Sequence, residues 1–146
     1  MSSSLLAAVT AHIETQGGGQ GLFPTSMDGV NIIRSFQEMM PMRQIYRPSL
    51  CVVLQGAKEI LFGGKRLDYG AMECLVVSME LPASGRIAEA SPGMPYIGVT
   101  VDLDMAMIRD VHQQMDTPPG RAAGEGPCVF VGEVDGALAG CILRLI

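Results

Sequence analysis

Tryptophan is absent, the aromatic fraction is only 5%, and there are just two histidines in 146 residues. The first two shortages leave the core to aliphatic side chains, with eleven methionines as adaptable filler. The third argues against a metal centre. His12 and His112 fall in predicted helices about a hundred residues apart, and no predicted strand carries a histidine. The Gly-x-Ser-x-Gly nucleophile pattern is also missing, since Ser84-Gly85 lacks the leading glycine. No catalytic, metal or cofactor site is therefore expected.

A basic surplus is missing as well. Ten Lys and Arg stand against 15 Asp and Glu, giving a net charge of −5, and the densest basic pair is Lys65-Arg66. Phosphate binding needs a basic stripe, so this stretch of chain should not itself bind DNA. Cys51, Cys74, Cys128 and Cys141 are unevenly spaced and form no CxxC. Cys51 and Cys74 sit in apolar runs, which predicts reduced, buried thiols, with a thiol sensor as the alternative. No run approaches the ~20 apolar residues of a membrane span, and the N-terminus lacks the basic start of a signal peptide. A cytoplasmic protein with no membrane contact is expected. With 48% hydrophobic and 17% charged residues, disorder is excluded and one folded domain is predicted.

What is present is mostly strand. Residues 1–24 predict a helix over Leu5–Glu14, capped by Ser4, then a flexible Gly-rich loop. From Val30 the period becomes two, with Val30, Ile32, Arg34 and Phe36 on one face. Pro41 and Pro48 make the segment around Ile45-Tyr46 an edge or a link. Strands follow at Ser49–Gln55, Lys58–Phe62 and Lys65–Tyr69, the last two joined by a Gly63-Gly64 hairpin turn. Glu73–Met79 comes next, then a break at Leu81-Pro82, then Arg86–Ala90 and Tyr96–Leu103. Seven or eight short strands at this spacing, with no βαβ alternation, read as a sandwich or barrel over 25–103.

After Leu103 the period turns helical. Asp104 is a good N-cap, and Met105, Ile108, Val111 and Met115 share a face, stopped by Thr117-Pro118-Pro119-Gly120. Cys128–Val131 is a short apolar stretch. A last helix begins near Asp135, with Leu138, Cys141, Ile142 and Leu145 on one stripe. It stops mid-stripe at Ile146, from which a continuation of the native chain is expected.

Among the strand residues, Arg34 is the odd one. A guanidinium on an apolar face either reaches a barrel mouth or pairs with an anion or polar ligand, the alternative that weighs more being an exposed strand-end arginine. Tyr96 and Thr100 share the face opposite Ile97, Val99 and Val101, and either line a pocket or coat the outside, the latter weighing more. The carboxylates Glu59, Asp68, Glu73 and Glu89 are expected on a solvated outer face.

Two runs carry a family resemblance. Tyr46-Arg47-Pro48-Ser49-Leu50-Cys51-Val52-Val53-Leu54-Gln55-Gly56-Ala57-Lys58 resembles the N-terminal domain of AraC-type bacterial transcription regulators. So does Leu75–Gly85, followed in the same order by Glu89-Ala90-Ser91-Pro92 and Pro95-Tyr96, with Ile33-Arg34-Ser35 upstream. The similarity covers about Thr25 to Met115. It implies a mainly β, α+β fold: a cupin-like jelly-roll barrel (a double-stranded β-helix) over 25–103, followed by a helical dimerisation and linker segment over 104–146. It further implies a small-molecule effector, a homodimer, and DNA binding only through a C-terminal helix-turn-helix domain absent from this sequence. The resemblance assigns no ligand residues. From the residues themselves, Arg34, Tyr46, Tyr96 and Thr100 are the candidates for ligand binding, and Leu138, Ile142 and Leu145 for dimerisation. The rival readings are a purely structural dimerisation module and a cupin-type enzyme.

Overall fold

The computed structural model describes residues 2–104, 106 and 129–146. Among them lie ten strands in two antiparallel sheets. In chain order the strands are β1 (Gly21–Pro24), β2 (Val30–Ser35), β3 (Met42–Tyr46), β4 (Ser49–Gln55), β5 (Ala57–Phe62), β6 (Lys65–Gly70), β7 (Glu73–Val77), β8 (Leu81–Glu89), β9 (Tyr96–Asp102) and β10 (Val129–Glu133). One sheet has the order β1-β2-β9-β4-β7-β10 and the other β3-β8-β5-β6. Among the described residues two helices flank the strands, α1 (Ser2–Thr15) and α2 (Gly136–Leu145). This is the cupin-like jelly roll expected from the sequence.

Both faces of the six-stranded sheet are buried, and this arrangement decides where the functional residues point. On its outer face Val30, Ile32, Val52, Cys74, Ile97 and Val99 form one core cluster with the two helices. From α1 come Leu5, Val9 and Ile13, spaced four apart on one stripe and fully buried, each contributing about 1.5–3 kcal/mol of burial. From α2 come Ala139 and Ile142. On the inner face Cys51, Val53, Leu75, Val77, Tyr96 and Val129 meet Ile60, Tyr69, Ala83 and Ile87 of the four-stranded sheet.

Local chemistry explains the joints. Helix α1 ends in a reciprocal pair of bonds, Gly18 N–H to the Ile13 carbonyl (3.0 Å) and Gly17 N–H to the Glu14 carbonyl (3.2 Å). Gly17 supplies the left-handed residue this motif needs, at φ 105°. The Gly63-Gly64 turn has both residues at positive φ (52° and 75°), joining the paired Phe62 and Lys65 as expected. Asp135 caps α2, its carboxylate accepting from Leu138 N–H at 2.8 Å.

Several expectations change. Helix α1 starts at Ser2, so Ser4 lies inside it. In the segment 1–24, expected as a helix and a flexible Gly-rich loop, α1 packs on the sheet and Gly21–Pro24 pairs with β2 as its edge strand. Leu81-Pro82 does not interrupt a strand. Pro82 pairs opposite Ile45 on β3, two residues before the β5 pairing begins at Ser84, so its missing N–H breaks no ladder between β8 and β5. The segment 104–146 is not purely helical, since Val129–Glu133 rejoins the sheet beside β7. Finally, the Leu138–Ile142–Leu145 stripe is occupied within the chain. Ile142 is 1% exposed in the core, and Leu138 and Leu145 pack against the same cluster. Ile142 is thus a core residue rather than a dimer contact, and Cys141, placed on the same stripe by sequence, is exposed. The expected apolar face at Met105, Ile108, Val111 and Met115, together with His112 and Cys128, lies outside the described residues. Asp104 does accept from Ala106 N–H at 2.9 Å, as an N-cap would.

Candidate functional site

The space between the two sheets is not filled solid. Two adjoining hollows of about 170 and 230 Å3 open there. They share four lining residues: Ile33 from β2, Gln44 and Tyr46 from β3, and Lys58 from β5. The first continues along Met39, Met42, Ile87 and Tyr96, and the second along Cys51, Tyr69, Leu75 and Thr100. Each is smaller than the 300–1,000 Å3 pocket of a drug-sized molecule, so the chamber suits a small ligand.

Two glycines make this space. A Cβ on Gly98 would collide with the Tyr96 hydroxyl and come within 3.2 Å of the Val52 carbonyl. A Cβ on Gly85 would collide with the Tyr46 hydroxyl. Side-chain-free positions on β8 and β9 thus let both tyrosines lie along the sheets rather than stand across the gap.

Buried hydroxyls and a thiol meet at the floor of the chamber. Tyr69 donates to Cys51 Sγ at 3.8 Å, and the Tyr96 hydroxyl is 4.0 Å from the same sulfur. Burial, reinforced by the neighbouring Cys51, pushes both phenols well above the usual tyrosine range, so they stay neutral donors. The Cys74 thiol, on the helix side of the sheet, is pushed up chiefly by burial too. Lys58 brings the positive charge, its Nζ 5.9 Å from the centre of the Tyr96 ring.

Of the residues singled out by sequence, Tyr46, Tyr96 and Thr100 line the hollows. The weightier expectation for Tyr96 and Thr100, the outside of the barrel, is overturned. Their alternates Ile97, Val99 and Val101 are the ones covered by the helices, and period two then sends Tyr96 and Thr100 inward.

Arg34 neither lines the chamber nor stands exposed at a strand end, and both expectations are corrected. It sits on the helix side with Val30 and Ile32, nearly buried at 7% exposure. There its Nε donates to the Gly19 carbonyl at 2.6 Å and its Nη1 to Glu14 Oε1 at 3.1 Å, with the guanidinium 5.0 Å over the Phe36 ring. The partner sought in a ligand is supplied by the C-terminal end of α1.

Glu59 is another departure from the solvated outer face. It is buried at 7% exposure, with Arg86 at 3.2 Å and Arg66 at 3.3 Å.

Sequence reasoning passed over Lys58, Gln44 and Ile33 as site residues. The inward-facing set Lys58, Ile60 and Phe62 on β5 has the alternation that would have flagged the lysine, because Ile60 marks the buried side. Among the described residues no three His, Cys, Asp or Glu side chains gather as a metal site. No helix among them is long and apolar enough to cross a membrane.

Over residues 26–146 the chain matches the family described as AraC-type transcriptional regulator N-terminus. No curated protein matches it in sequence at a significant level. Among solved structures it is similar to a point variant of apo ToxT from Vibrio cholerae, with a TM-score of 0.51 at 6% identity, covering 83% of this chain and 48% of that one. It is similar also to YhaK from Escherichia coli, with a TM-score of 0.45 at 14% identity over 80% of this chain and 52% of that one. Salicylate 1,2-dioxygenase from Pseudoaminobacter salicylatoxidans gives a TM-score of 0.39 at 12% identity, over 90% of this chain and 35% of that one. At such identities the likeness is one of fold alone. The chain spans about half the length of ToxT and of YhaK, and about a third of the dioxygenase.

Proposed function

Because the chain belongs to the family of AraC-type transcriptional regulator N-termini, we propose that it is the effector-sensing part of such a regulator. A small molecule occupies the chamber between the sheets and shifts the balance between two conformations. A DNA-binding helix-turn-helix domain in the full-length regulator reads that shift. An effector with a ~100-fold preference for one conformation supplies ~2.7 kcal/mol of coupling.

The observation that carries this reading is the unfilled chamber, where Gln44, Tyr46, Lys58 and Thr100 stand among apolar side chains, with Arg47, Ser49, Arg86 and Asp102 also on its lining. Ligand sites have this composition, apolar with a few convergent polar groups. The proposed role is binding without catalysis. The described histidine, His12, lies on α1 and is engaged by Gln16 and the Pro24 carbonyl, away from the chamber. Homodimerisation and a cytoplasmic location belong to the same proposal. The dimer contact is then not Ile142, which the core has taken.

The test is a thermal-shift screen of sugars, carboxylates and aldehydes. A ligand at about 100 times its Kd stabilises the fold by ~2.7 kcal/mol. The same ligand should change the operator affinity of the full-length regulator, and Thr100→Phe, which fills the chamber, should abolish both effects. A screen with no hit, together with DNA binding that answers to no added compound, would overturn the reading in favour of a structural dimerisation module.

A further inference from the structure

We propose, resting on the sensing reading above, that the chamber takes a small organic anion, a carboxylate on an apolar or aromatic body, and that Lys58 is its charge partner.

Every other cation with a place in or near the site is either paired or at the surface. Arg86, which lines the first hollow, is held by Glu59 at 3.2 Å. Arg66 pairs with Asp68 and Glu59 on the outer face of the four-stranded sheet. Arg34 belongs to Glu14 on the far side of the other sheet. Arg47 lines the second hollow but is exposed. Lys58 alone is half-buried, lines both hollows, and forms no ion pair among the described residues.

The cause is the strand period. Glu59, next in sequence, points to the opposite face of the sheet, so the nearest carboxylate along the chain is turned away. Across the sheet Lys58 is paired with Ile87 on β8 and Tyr69 on β6, neither of which carries a charge at neutral pH. The chain has 15 acidic residues, so the missing partner does not reflect a shortage of carboxylates. The one carboxylate lining either hollow, Asp102, stands at the exposed end of β9. A cation drawn partly out of water onto an aromatic face, without a counter-charge, is a site for an anion.

The groups beside it fit the same ligand. The four residues shared by the two hollows are Lys58, Tyr46, Gln44 and Ile33. The Tyr46 hydroxyl lies against Gly85, within electrostatic reach of the Tyr69 and Tyr96 phenols, and Gln44 is exposed. Lysine, phenol and amide are all donors, converging on the junction of the hollows. A carboxylate has two oxygens and about four acceptor positions to receive them. Besides Gly85 and the Glu59-bound Arg86, the remaining surface of the first hollow is Met39, Met40, Met42, Ile87 and Tyr96, which asks for an apolar body. Methionines adapt to its shape.

The experiment compares charged and neutral isosteres on this chain. Benzoate and hexanoate, with benzamide and hexanamide, are titrated by calorimetry and thermal shift at constant ionic strength. The expected result is that the carboxylates bind and raise the melting temperature while the amides bind at least roughly tenfold more weakly. Lys58→Met should weaken benzoate binding by roughly ten- to a hundredfold while folding normally, and Lys58→Arg should retain most of it. If Lys58→Met fails to fold, the acid-to-amide comparison on the wild-type chain decides alone. Amides that bind as tightly as the acids would overturn the anion assignment and leave the sensing reading standing. Carboxylates that fail to bind, while sugars or aldehydes do, would have the same effect. If nothing in either set or in the wider screen binds, both fall together.

Discussion

Replacing Ile142 by alanine separates two roles for the last helix. By sequence, Leu138, Ile142 and Leu145 read as a stripe for a partner subunit. In the fold, Ile142 is 1% exposed among Leu5, Val9 and Ile13 of α1. Truncating a fully buried isoleucine removes its transfer energy and leaves a cavity, at a cost of about 2–5 kcal/mol. Alanine's better helix propensity returns only a few tenths of this. For a chain of ~150 residues each kcal/mol lowers the melting temperature by roughly 2–4 °C, so a central value near 3 kcal/mol gives a fall of about 6–12 °C. Arg144→Ala, on the exposed side, should stay within about 0.5 kcal/mol. Urea unfolding at two protein concentrations fifty-fold apart is the assay. A dimer contact makes stability rise with concentration and loses that dependence on mutation, whereas a core contact costs the same at both. If Ile142→Ala leaves the unfolding midpoint in place and instead dissociates an oligomer, the core assignment is wrong.

Three further outcomes follow from the same structure. Arg34→Ala removes a 2.6 Å bond to Gly19 and the Glu14 pair, and should cost about 1–3 kcal/mol by urea titration. Glu14→Gln should cost under about 1 kcal/mol because Glu14 is well exposed, and neither change should alter ligand binding in the chamber. Gly98→Ala drives a methyl into the Tyr96 hydroxyl and should destabilise by about 1–3 kcal/mol and shrink the chamber, read as a lower midpoint together with lost ligand binding. Tyr69 and Tyr96 have folded-state values raised above the ordinary ~10 of an unfolded tyrosine. The stability this represents is complete below about pH 10 and is lost as pH rises beyond it, because only the unfolded chain releases those protons there. Ultraviolet titration should therefore show Tyr69 and Tyr96 ionising only with alkaline unfolding, and normal ionisation of both in the folded protein would refute their burial.

The strands were legible where one signal was enough. Ser49–Gln55, the Gly63-Gly64 hairpin and the Asp135 cap each announce themselves through local chemistry. The facing of the strands was not legible. In Tyr96–Asp102 the apolar set Ile97, Val99 and Val101 looks like the inside of a barrel, and it is buried, but beneath helices rather than between sheets. A period of two says that alternate residues part company and leaves open which layer receives each. Arg34 misled for the same reason, since its partner Glu14 is twenty residues away on a helix whose docking no local pattern encodes. The inward facing of Lys58 was legible in its alternation with Ile60, but its want of an ion pair among the described residues emerges only in the assembled sheets. Pro82 was read as a break because sequence does not show that the neighbouring strand begins its pairing two residues later.

Strand β9 is a party wall. Tyr96 and Thr100 face one room, and Ile97 and Val99 hold up the other, where α1 and α2 are lodged. One face of this strand borders the hollows and the other is close-packed beneath the helices, so a push from within meets packed side chains rather than solvent. Under the proposed sensing role, a guest pressing on Tyr96 would lean on Ile97 as well, and the helices outside would register its arrival without touching it.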